Sequence, residues 1–237
     1  MFNSAPPTDK GEQTRSTIFE AALQSFREKG FEATTMRDIA SAANVALGSA
    51  YYYFPSKEAL IQAYYDSVQQ EHARRVAGAL ATGSPDLLER LKFAFQSKLD
   101  ILRNDRKLLG VVFRYSGEPQ HSLSCLGPAT QSTRRASIEL MSNAIGDERM
   151  PRDLRQLLPI ALWALQMGVL ILFIYDESPN QQRTRKLVDG ALELTVRLLF
   201  LARNPLLKPV RSKVLELLSA ADLLPEFGAF ESQPEKE

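Results

Sequence analysis

The side chains best suited to specific chemistry lie close together, in the stretch from Phe31 to Leu60. Tyr51 and Tyr52 come at the end of a short helical pattern, where we expect both rings to be exposed. A phenol can donate a hydrogen bond to a phosphate oxygen and can place its ring against a thymine methyl group. Arg37, in the preceding helical pattern, carries a guanidinium that matches the two acceptors of a guanine edge. These residue types indicate DNA binding rather than a chemical reaction.

Groups that could support catalysis or hold a metal are not arranged for either task. The chain has one cysteine, Cys125, and two histidines, His72 and His121, and the three have no metal-ligand spacing. A single cysteine excludes an intrachain disulfide and is typical of the reducing cytosol. The sequence also has no recognisable nucleophile and base pair and no glycine-rich phosphate loop. We therefore expect no enzyme activity, no catalytic residues, no metal, no cofactor and a cytoplasmic location.

Two short helices must position the polar side chains. Thr35, with Asp38 three positions later, predicts a capped helix start followed by an apolar face. The second pattern runs from Ala46 to Tyr52, and the glycine in its interior, Gly48, costs about 1 kcal/mol relative to alanine. A position without a side chain on so short a helix indicates that a large partner molecule approaches the helix there. A helix set into the major groove by the helix before it is the helix-turn-helix arrangement.

Longer helices flank this pair. The apolar spacing predicts a first helix from Thr14 to Lys29, ended by Gly30 as a left-handed cap. After the pair, a long helix should run from Lys57 to about Ala79 and join two domains. Lys57 would lie in its first turn, where an ammonium and free backbone N–H groups can both meet a phosphate.

These residues resemble the N-terminal signature of the TetR family of bacterial transcriptional regulators. The resemblance extends from Thr14 to Leu60 and includes Arg15, Ile18, Ala21, Ala22, Phe26, Gly30, Phe31, Thr34, Thr35, Met36, Ile39, Ala40, Ala43, Val45, Gly48, Ser49, Tyr51, Tyr53, Phe54 and Lys57. The sequence departs from the family at Ala46, where Ser or Thr usually caps the recognition helix, and at Ala50, where a larger aliphatic residue is common. The missing cap should cost about 1 kcal/mol of local stability.

The resemblance implies two sets of DNA-contacting positions. Those expected to touch the phosphate backbone are Thr34, Thr35, Tyr51, Tyr52 and Lys57. Those expected to face base edges are Arg37, Ala46, Leu47, Gly48 and Ser49. Net charge does not support DNA binding, because residues 1–60 contain six Lys and Arg against seven Asp and Glu. A basic face must therefore come from the arrangement of a few side chains.

The rest of the chain shows no strand pattern and reads as helices separated by Pro and Gly. The predicted helices span about Asp86 to Asn104, Arg106 to Tyr115, Pro128 to Ala144, Arg152 to Tyr175, Gln181 to Ala202 and Pro209 to Leu223. Residues 116–127 form a long loop that could gate a pocket. The predicted fold is all-α, with an N-terminal three-helix helix-turn-helix domain at 12–60 and a larger helical effector-binding and dimerisation domain at 61–225.

The uncharged stretch from Leu157 to Tyr175 is long enough to cross a membrane. Gln166 near its centre and Pro159 near its start argue against a span. Apolar residues here and in the next helix repeat at spacings of three and four, which favours a four-helix interface between two copies, the mode of dimerisation that the resemblance implies. The predicted interface residues are Trp163, Met167, Leu170, Ile174, Leu187, Ala191, Leu194 and Leu198. We therefore expect a homodimer and no membrane association.

The resemblance also implies a small-molecule effector bound among the helices of the larger domain. Side chains that could line its cavity are Phe93, Phe113, Arg114, Tyr115 and Trp163. If Arg114 points inward it would favour an anionic or carbonyl-bearing effector, and if it points outward it is a solvated charge. The sequence does not identify the effector.

Two interpretations of function stay open at this point. The first is a repressor that binds a palindromic double-stranded DNA operator and is released by a small apolar or amphipathic ligand. The second is a DNA-organising or protein-partnered factor of the same fold that has no small-molecule effector.

Overall fold

The computed structural model describes residues 9–83, 86–118 and 120–220. The described residues form helices joined by turns and loops and contain no strand, which confirms the all-α prediction. The helices are α1 Asp9–Lys29, α2 Met36–Ala42, α3 Leu47–Tyr53, α4 Lys57–Ala81, α5 Leu87–Leu102, α6 Arg106–Tyr115, α7 Gln131–Ile145, α8 Arg152–Tyr175, α9 Gln182–Ala202 and α10 Lys208–Ala220. The α1 helix begins earlier than predicted, and the bounds of α6 and α8 agree with the sequence. The predicted end of the last helix at Leu223 lies outside the described residues.

The chain divides into two compact units, and the division differs from the predicted domains at 12–60 and 61–225. The first unit contains the described residues up to 68 together with 102–131, and the second contains 69–101 and 132–220. Helix α6 and the segment that follows it therefore group with the helix-turn-helix. The continuous helix α4 contributes its first half to one unit and its second half to the other.

A buried carboxylate explains why α6 groups with the N-terminal helices. Asp105, directly before α6, is 6% exposed. Its two oxygens accept hydrogen bonds from Arg27 Nε at 2.6 Å and Arg27 Nη2 at 2.9 Å, and the hydroxyl of Tyr64 donates to Oδ2 at 2.9 Å. Burial and the adjacent carboxylate both raise the pKa of Tyr64, so the phenol stays protonated and donates. This network joins α1, α4 and the start of α6.

The loop between α6 and α7 packs within the first unit. Leu123 and Ser124 are fully buried, and Gln62 on α4 donates to the Ser122 carbonyl at 2.9 Å. Thr130 Oγ1 donates to the Ser124 carbonyl at 2.6 Å. The described part of this loop is therefore anchored by buried side chains and hydrogen bonds, and its role as a gate stays a prediction.

Candidate nucleic-acid interface

The start of α2 is held by the capping box that the sequence predicted. Asp38 N donates to Thr35 Oγ1 at 3.1 Å, and Thr35 N donates to Asp38 Oδ2 at 2.9 Å. Hydrogen bonds from the Thr35 hydroxyl and backbone, with Lys29 nearby, lower the pKa of Asp38 to about 2. The carboxylate therefore remains an acceptor at neutral pH, and α2 has a fixed start from which it can orient α3.

The connection between α2 and α3 depends on one residue in a left-handed conformation. Asn44 has φ 52°, which asparagine adopts more readily than most residues other than glycine. Val45 N donates to the Ala40 carbonyl at 3.0 Å and so closes the turn. The tendency of asparagine toward this conformation is the local sequence signal for this turn.

Helix α3 presents one face to the core and one to solvent. Ala50 is fully buried, so at this departure from the family pattern a small side chain faces the core. On the outer face, Leu47 is 36%, Tyr51 49% and Tyr52 82% exposed. Ala46 and Gly48 are also exposed, whereas Ser49 is half-buried. The extended Ala46 precedes the helix without a side-chain cap, as its alanine identity predicted.

The charged groups of Arg37 and Lys57 differ in whether they have partners within the protein. Arg37 is exposed and has no hydrogen-bond or ion-pair partner within the described residues. Lys57 Nζ donates to the Phe31 carbonyl at 2.7 Å and lies 4.5 Å from the centre of the Phe31 ring. An ammonium has three donors, so Lys57 can hold this loop and still offer a hydrogen bond to a phosphate.

One predicted DNA contact is wrong. The side chain of Thr34 is fully buried, and its Oγ1 donates to the Gly30 carbonyl at 2.8 Å. The hydroxyl therefore stabilises the turn after α1 and is not available to a phosphate. Thr35 remains exposed, although its hydroxyl is engaged with Asp38.

The predicted effector-binding side chains fall in different units. Phe113, Arg114 and Tyr115 lie in the first unit. Arg114 is exposed and pairs with Glu32 at 2.7 Å, so its charge is directed to the α1–α2 loop rather than to a cavity. The Tyr115 ring stacks on His121 with 3.9 Å between ring centres.

Phe93 and Trp163 belong to the second unit. Phe93 on α5 is 43% exposed and lines a surface groove with Val76 and Leu80. Trp163 on α8 is half-buried. Within either unit, therefore, the structure does not bring the five predicted side chains together.

The second unit has a helix that is apolar on two opposite faces. The inner face of α9 contains Val188, Leu192 and Leu199, all buried. Its outer face carries a further apolar stripe formed by Leu187, Leu194, Leu198 and Leu201, which are 48%, 57%, 53% and 60% exposed. Ala191 between them is half-buried. An apolar stripe of this length on the surface of a monomer marks an interaction face.

The exposed residues of α8 differ from the residues predicted to form the dimer interface. Leu170 is 3% exposed and packs inside the unit, so its assignment to a dimer interface is wrong. Trp163, Met167 and Ile174 are half-buried. Exposed residues in this part of α8 are Ala161, Ala164, Gly168, Ile171, Leu172 and Tyr175. Small residues among them would let a second helix approach closely.

Helix α8 is also the one helix in the described part of the chain that is long and apolar enough to cross a membrane by length and composition. Its buried residues include Leu158, Leu162 and Phe173, which pack within the second unit. The central Gln166 is buried with them. The core helix of a bundle meets the same length and composition criteria as a membrane span.

Comparison with known proteins assigns both parts of the chain to one family. Residues 18–64 match the family described as bacterial regulatory proteins, tetR family. Residues 90–216, more than half of the 237-residue chain, match the family described as tetracyclin repressor-like, C-terminal domain.

Individual relatives agree with these two matches. The HTH-type transcriptional regulator TtgR of Pseudomonas putida is 39% identical over 64 residues, 27% of this chain and 30% of TtgR. The chain thus spans less than a third of that relative's length. An uncharacterized HTH-type transcriptional regulator of Bacillus subtilis, YhgD, is 24% identical over 77% of this chain and 94% of its own. The crystal structure of a TetR transcriptional regulator from Nitrosomonas europaea aligns with TM-score 0.61 at 22% identity, covering 76% of this chain and 96% of that one.

Proposed function

The chain belongs to the TetR family of bacterial transcriptional regulators, and we propose that it is a homodimeric repressor that a small apolar or amphipathic ligand releases from a palindromic operator. The observation that carries the DNA-binding part is the outer face of α3. Leu47, Tyr51 and Tyr52 are exposed there around the bare Gly48, and Arg37 on α2 has a free guanidinium. Three exposed apolar or aromatic side chains on one seven-residue helix mark an interaction surface. They suit a surface that meets DNA.

The homodimer is supported by the outer faces of α8 and α9. Both are exposed and apolar, and they belong to consecutive helices of one unit. Two copies of this helix pair can bury the faces against each other as a four-helix interface. A dimer presents two copies of α3, so the proposed operator is an inverted repeat with one half-site for each.

Selection of bound sequences from a random DNA pool tests the proposed function. A specific regulator should enrich an inverted repeat and should bind it about 10³-fold or more tightly than unrelated DNA at physiological salt. Recovery of no common sequence, with affinity that depends only on salt, would contradict the proposal.

Arg37→Ala should weaken binding to the selected operator by about 1 to 3 kcal/mol and relax the preference at one base pair. The reason is that the guanidinium is exposed and unpaired within the described residues, so DNA is the partner it can take. Lys57→Ala is the comparison, because a phosphate contact contributes equally to all sequences and should lower the salt slope by about one unit. Fluorescence anisotropy on matched and mismatched operators measures both effects. An Arg37→Ala protein that keeps wild-type affinity and preference would remove Arg37 from the interface.

Gly48→Ala should change stability and DNA affinity in opposite directions. A Cβ added at Gly48 meets no atom within 4 Å, so alanine should stabilise α3 by up to about 1 kcal/mol through helix propensity. The same methyl group would occupy the space that DNA approaches, and we expect operator affinity to fall at least about tenfold, or 1.4 kcal/mol. Thermal unfolding and operator titration of one preparation give both numbers. Unchanged affinity in a more stable protein would mean that DNA does not come close to this position.

If an effector exists, ligand binding and operator binding must weaken each other. A ligand that favours the unbound form should weaken operator binding some 5- to 150-fold, for a coupling of about 1 to 3 kcal/mol, and the operator must weaken ligand binding by the same factor. Trp163, the only tryptophan, lies half-buried on α8 and can report binding by fluorescence. Compounds that bind free and operator-bound protein equally would not be effectors. If a broad screen found only such compounds, a DNA-organising or protein-partnered factor without an effector would be the better interpretation.

A further inference from the structure

Lys98 on α5 is a buried cation without a counter-ion. The residue is 8% exposed, and its Nζ lies 3.3 Å from Gln69 Oε1, its one hydrogen-bond partner within the described residues. No carboxylate of the described chain lies within ion-pair distance of it. The other buried basic side chain of the same unit, Arg211, is paired with Asp153 at 2.6 Å. Buried lysines are normally paired, because an isolated charge in a protein interior is strongly unfavourable.

The groups around Lys98 offer more donors than acceptors. Gln69 Oε1 already accepts from Ser137 Oγ at 3.0 Å as well as from Lys98. The other half of that amide, Gln69 Nε2, is buried and has no partner. His72 on α4 is 1% exposed and donates through Nε2 to the Ala94 carbonyl at 2.7 Å. Burial, and then the Lys98 charge, lower the pKa of His72 to about 3, so the ring is neutral and supplies no second charge.

An acceptor-only group with a single negative charge would satisfy this cluster, defined here as Gln69, His72, Lys98 and Ser137. A carboxylate has two oxygens that can accept from the Lys98 ammonium and the free Gln69 N–H groups together. A multiply charged group such as a phosphate monoester is less suitable, because the cluster contains one cation. Desolvation lowers the pKa of Lys98 to about 8, so at neutral pH most of the lysine is charged and can pair with an anion.

The surroundings of the cluster indicate what the carboxylate is attached to. On α5, in the same unit as the cluster, Leu91, Ala94, Phe95 and Leu99 are all 1% exposed or less. A polar ligand body would lose its hydration among such residues without compensation. An aliphatic or aromatic ligand body has little hydration to lose, so it suits these surroundings.

We propose that Lys98 and the Gln69 amide bind the carboxylate of an amphipathic monocarboxylate, and that this compound is the effector. The inference rests on the proposed effector-released repressor for its regulatory meaning. Gln69 lies on α4, the helix that continues into the helix-turn-helix unit, so a ligand held by Gln69 contacts an element shared by both units.

The test uses the full-length protein and three pairs of probes, butanoate, octanoate and dodecanoate, each compared with the alcohol of the same length. Calorimetry and Trp163 fluorescence without DNA give the affinities. We expect at least one carboxylate to bind more tightly than its alcohol, and Lys98→Met to weaken that carboxylate about 10- to 100-fold, as expected for loss of a charge-assisted hydrogen bond. Binding of the alcohol should be unchanged. Lys98→Met should also raise the midpoint of thermal unfolding, because methionine fills similar volume without a buried charge.

Two further variants complete the test. Lys92→Met removes a positive charge from the same helix, but Lys92 is partly exposed and paired with Glu193 at 3.1 Å, so carboxylate binding should be unchanged. Gln69→Glu places a carboxylate next to Lys98 within the protein, and this internal partner should prevent the ligand carboxylate from binding while the fold is retained.

The inference is overturned if no carboxylate of the series binds more tightly than its alcohol, or if Lys98→Met and Gln69→Glu bind carboxylates as the wild type does. Failure of the proposed function has a different signature. If a carboxylate binds through Lys98 but leaves operator affinity unchanged, the binding site is confirmed and its regulatory role is refuted. If only a neutral compound releases the operator, the ligand-released repressor is supported and the carboxylate effector is refuted.

Discussion

Replacing Leu194 and Leu198 together with glutamate should give a monomer that keeps its helix content and loses operator binding. Both side chains lie on the outer stripe of α9 and are 57% and 53% exposed, so the substitutions leave the interior of the unit intact. In a dimer the same positions would be desolvated, and burying four uncompensated charges there is far more costly than a dimer interface can offset. Binding of two half-sites by one molecule would then be lost, and operator affinity should fall by about 10² to 10⁴.

Sedimentation, circular dichroism and operator titration measure the three parts of this result. The matched control is Leu206→Glu with Val210→Glu near the C-terminal helix, where the side chains are 84% and 59% exposed. The control should remain a dimer that binds the operator. If the control were monomeric and the α9 variant dimeric, the interface would lie on α10 instead.

Asp105→Ala should lower the free energy of unfolding of the first unit by about 3 kcal/mol. The substitution removes the acceptor of two Arg27 hydrogen bonds and leaves the buried Tyr64 hydroxyl without its partner. Most of the loss comes from Tyr64, which is 3% exposed, because Arg27 can partly reach water with its side chain 44% exposed. Urea unfolding followed by circular dichroism gives the difference in stability.

Glu32→Ala is the control for this prediction. Glu32 and Arg114 form an ion pair of similar length in the same unit, 2.7 Å, but both side chains are 60% exposed. An exposed pair of this kind contributes about 0 to 1 kcal/mol. Equal losses in the two variants would mean that the Asp105 network does not join α1, α4 and α6 as described.

The elements of the DNA-binding part were predictable because their signals are local. The Thr35 and Asp38 capping box, the absence of a cap at Ala46 and the exposure of Tyr52 each depend on residues within one helical turn. Helix α8 was predicted with its observed bounds because Pro151 precedes it, Asp176 follows it and residues 157–175 carry no charge.

The errors have a different physical origin. Helix α8 is apolar on every side over much of its length, so periodicity could not decide whether Leu170 faced inward or outward. Thr34 was assigned by family position, and nothing in the local sequence showed that its hydroxyl would be buried and donate to the Gly30 carbonyl.

Polar contacts between residues far apart in the sequence could not be predicted from the sequence pattern. Asp105 is 78 positions from Arg27 and 41 from Tyr64, and no periodicity connects them. The grouping of α6 with the N-terminal unit could not be anticipated for that reason. The same holds for Lys98, which is one of five charged residues on α5 and stands out only when Gln69 and Ser137 are seen beside it.

A hydroxyl-radical footprint of the purified protein on the DNA that flanks its own gene tests the central claim most directly. Two α3 helices in one dimer should protect two related half-sites, arranged as an inverted repeat and centred about 34 to 36 Å apart or a multiple of that spacing. Arg37→Ala should weaken both patches together. A single protected patch would contradict the symmetric dimer, and protection that spreads evenly along any DNA and disappears with added salt would contradict sequence-specific regulation.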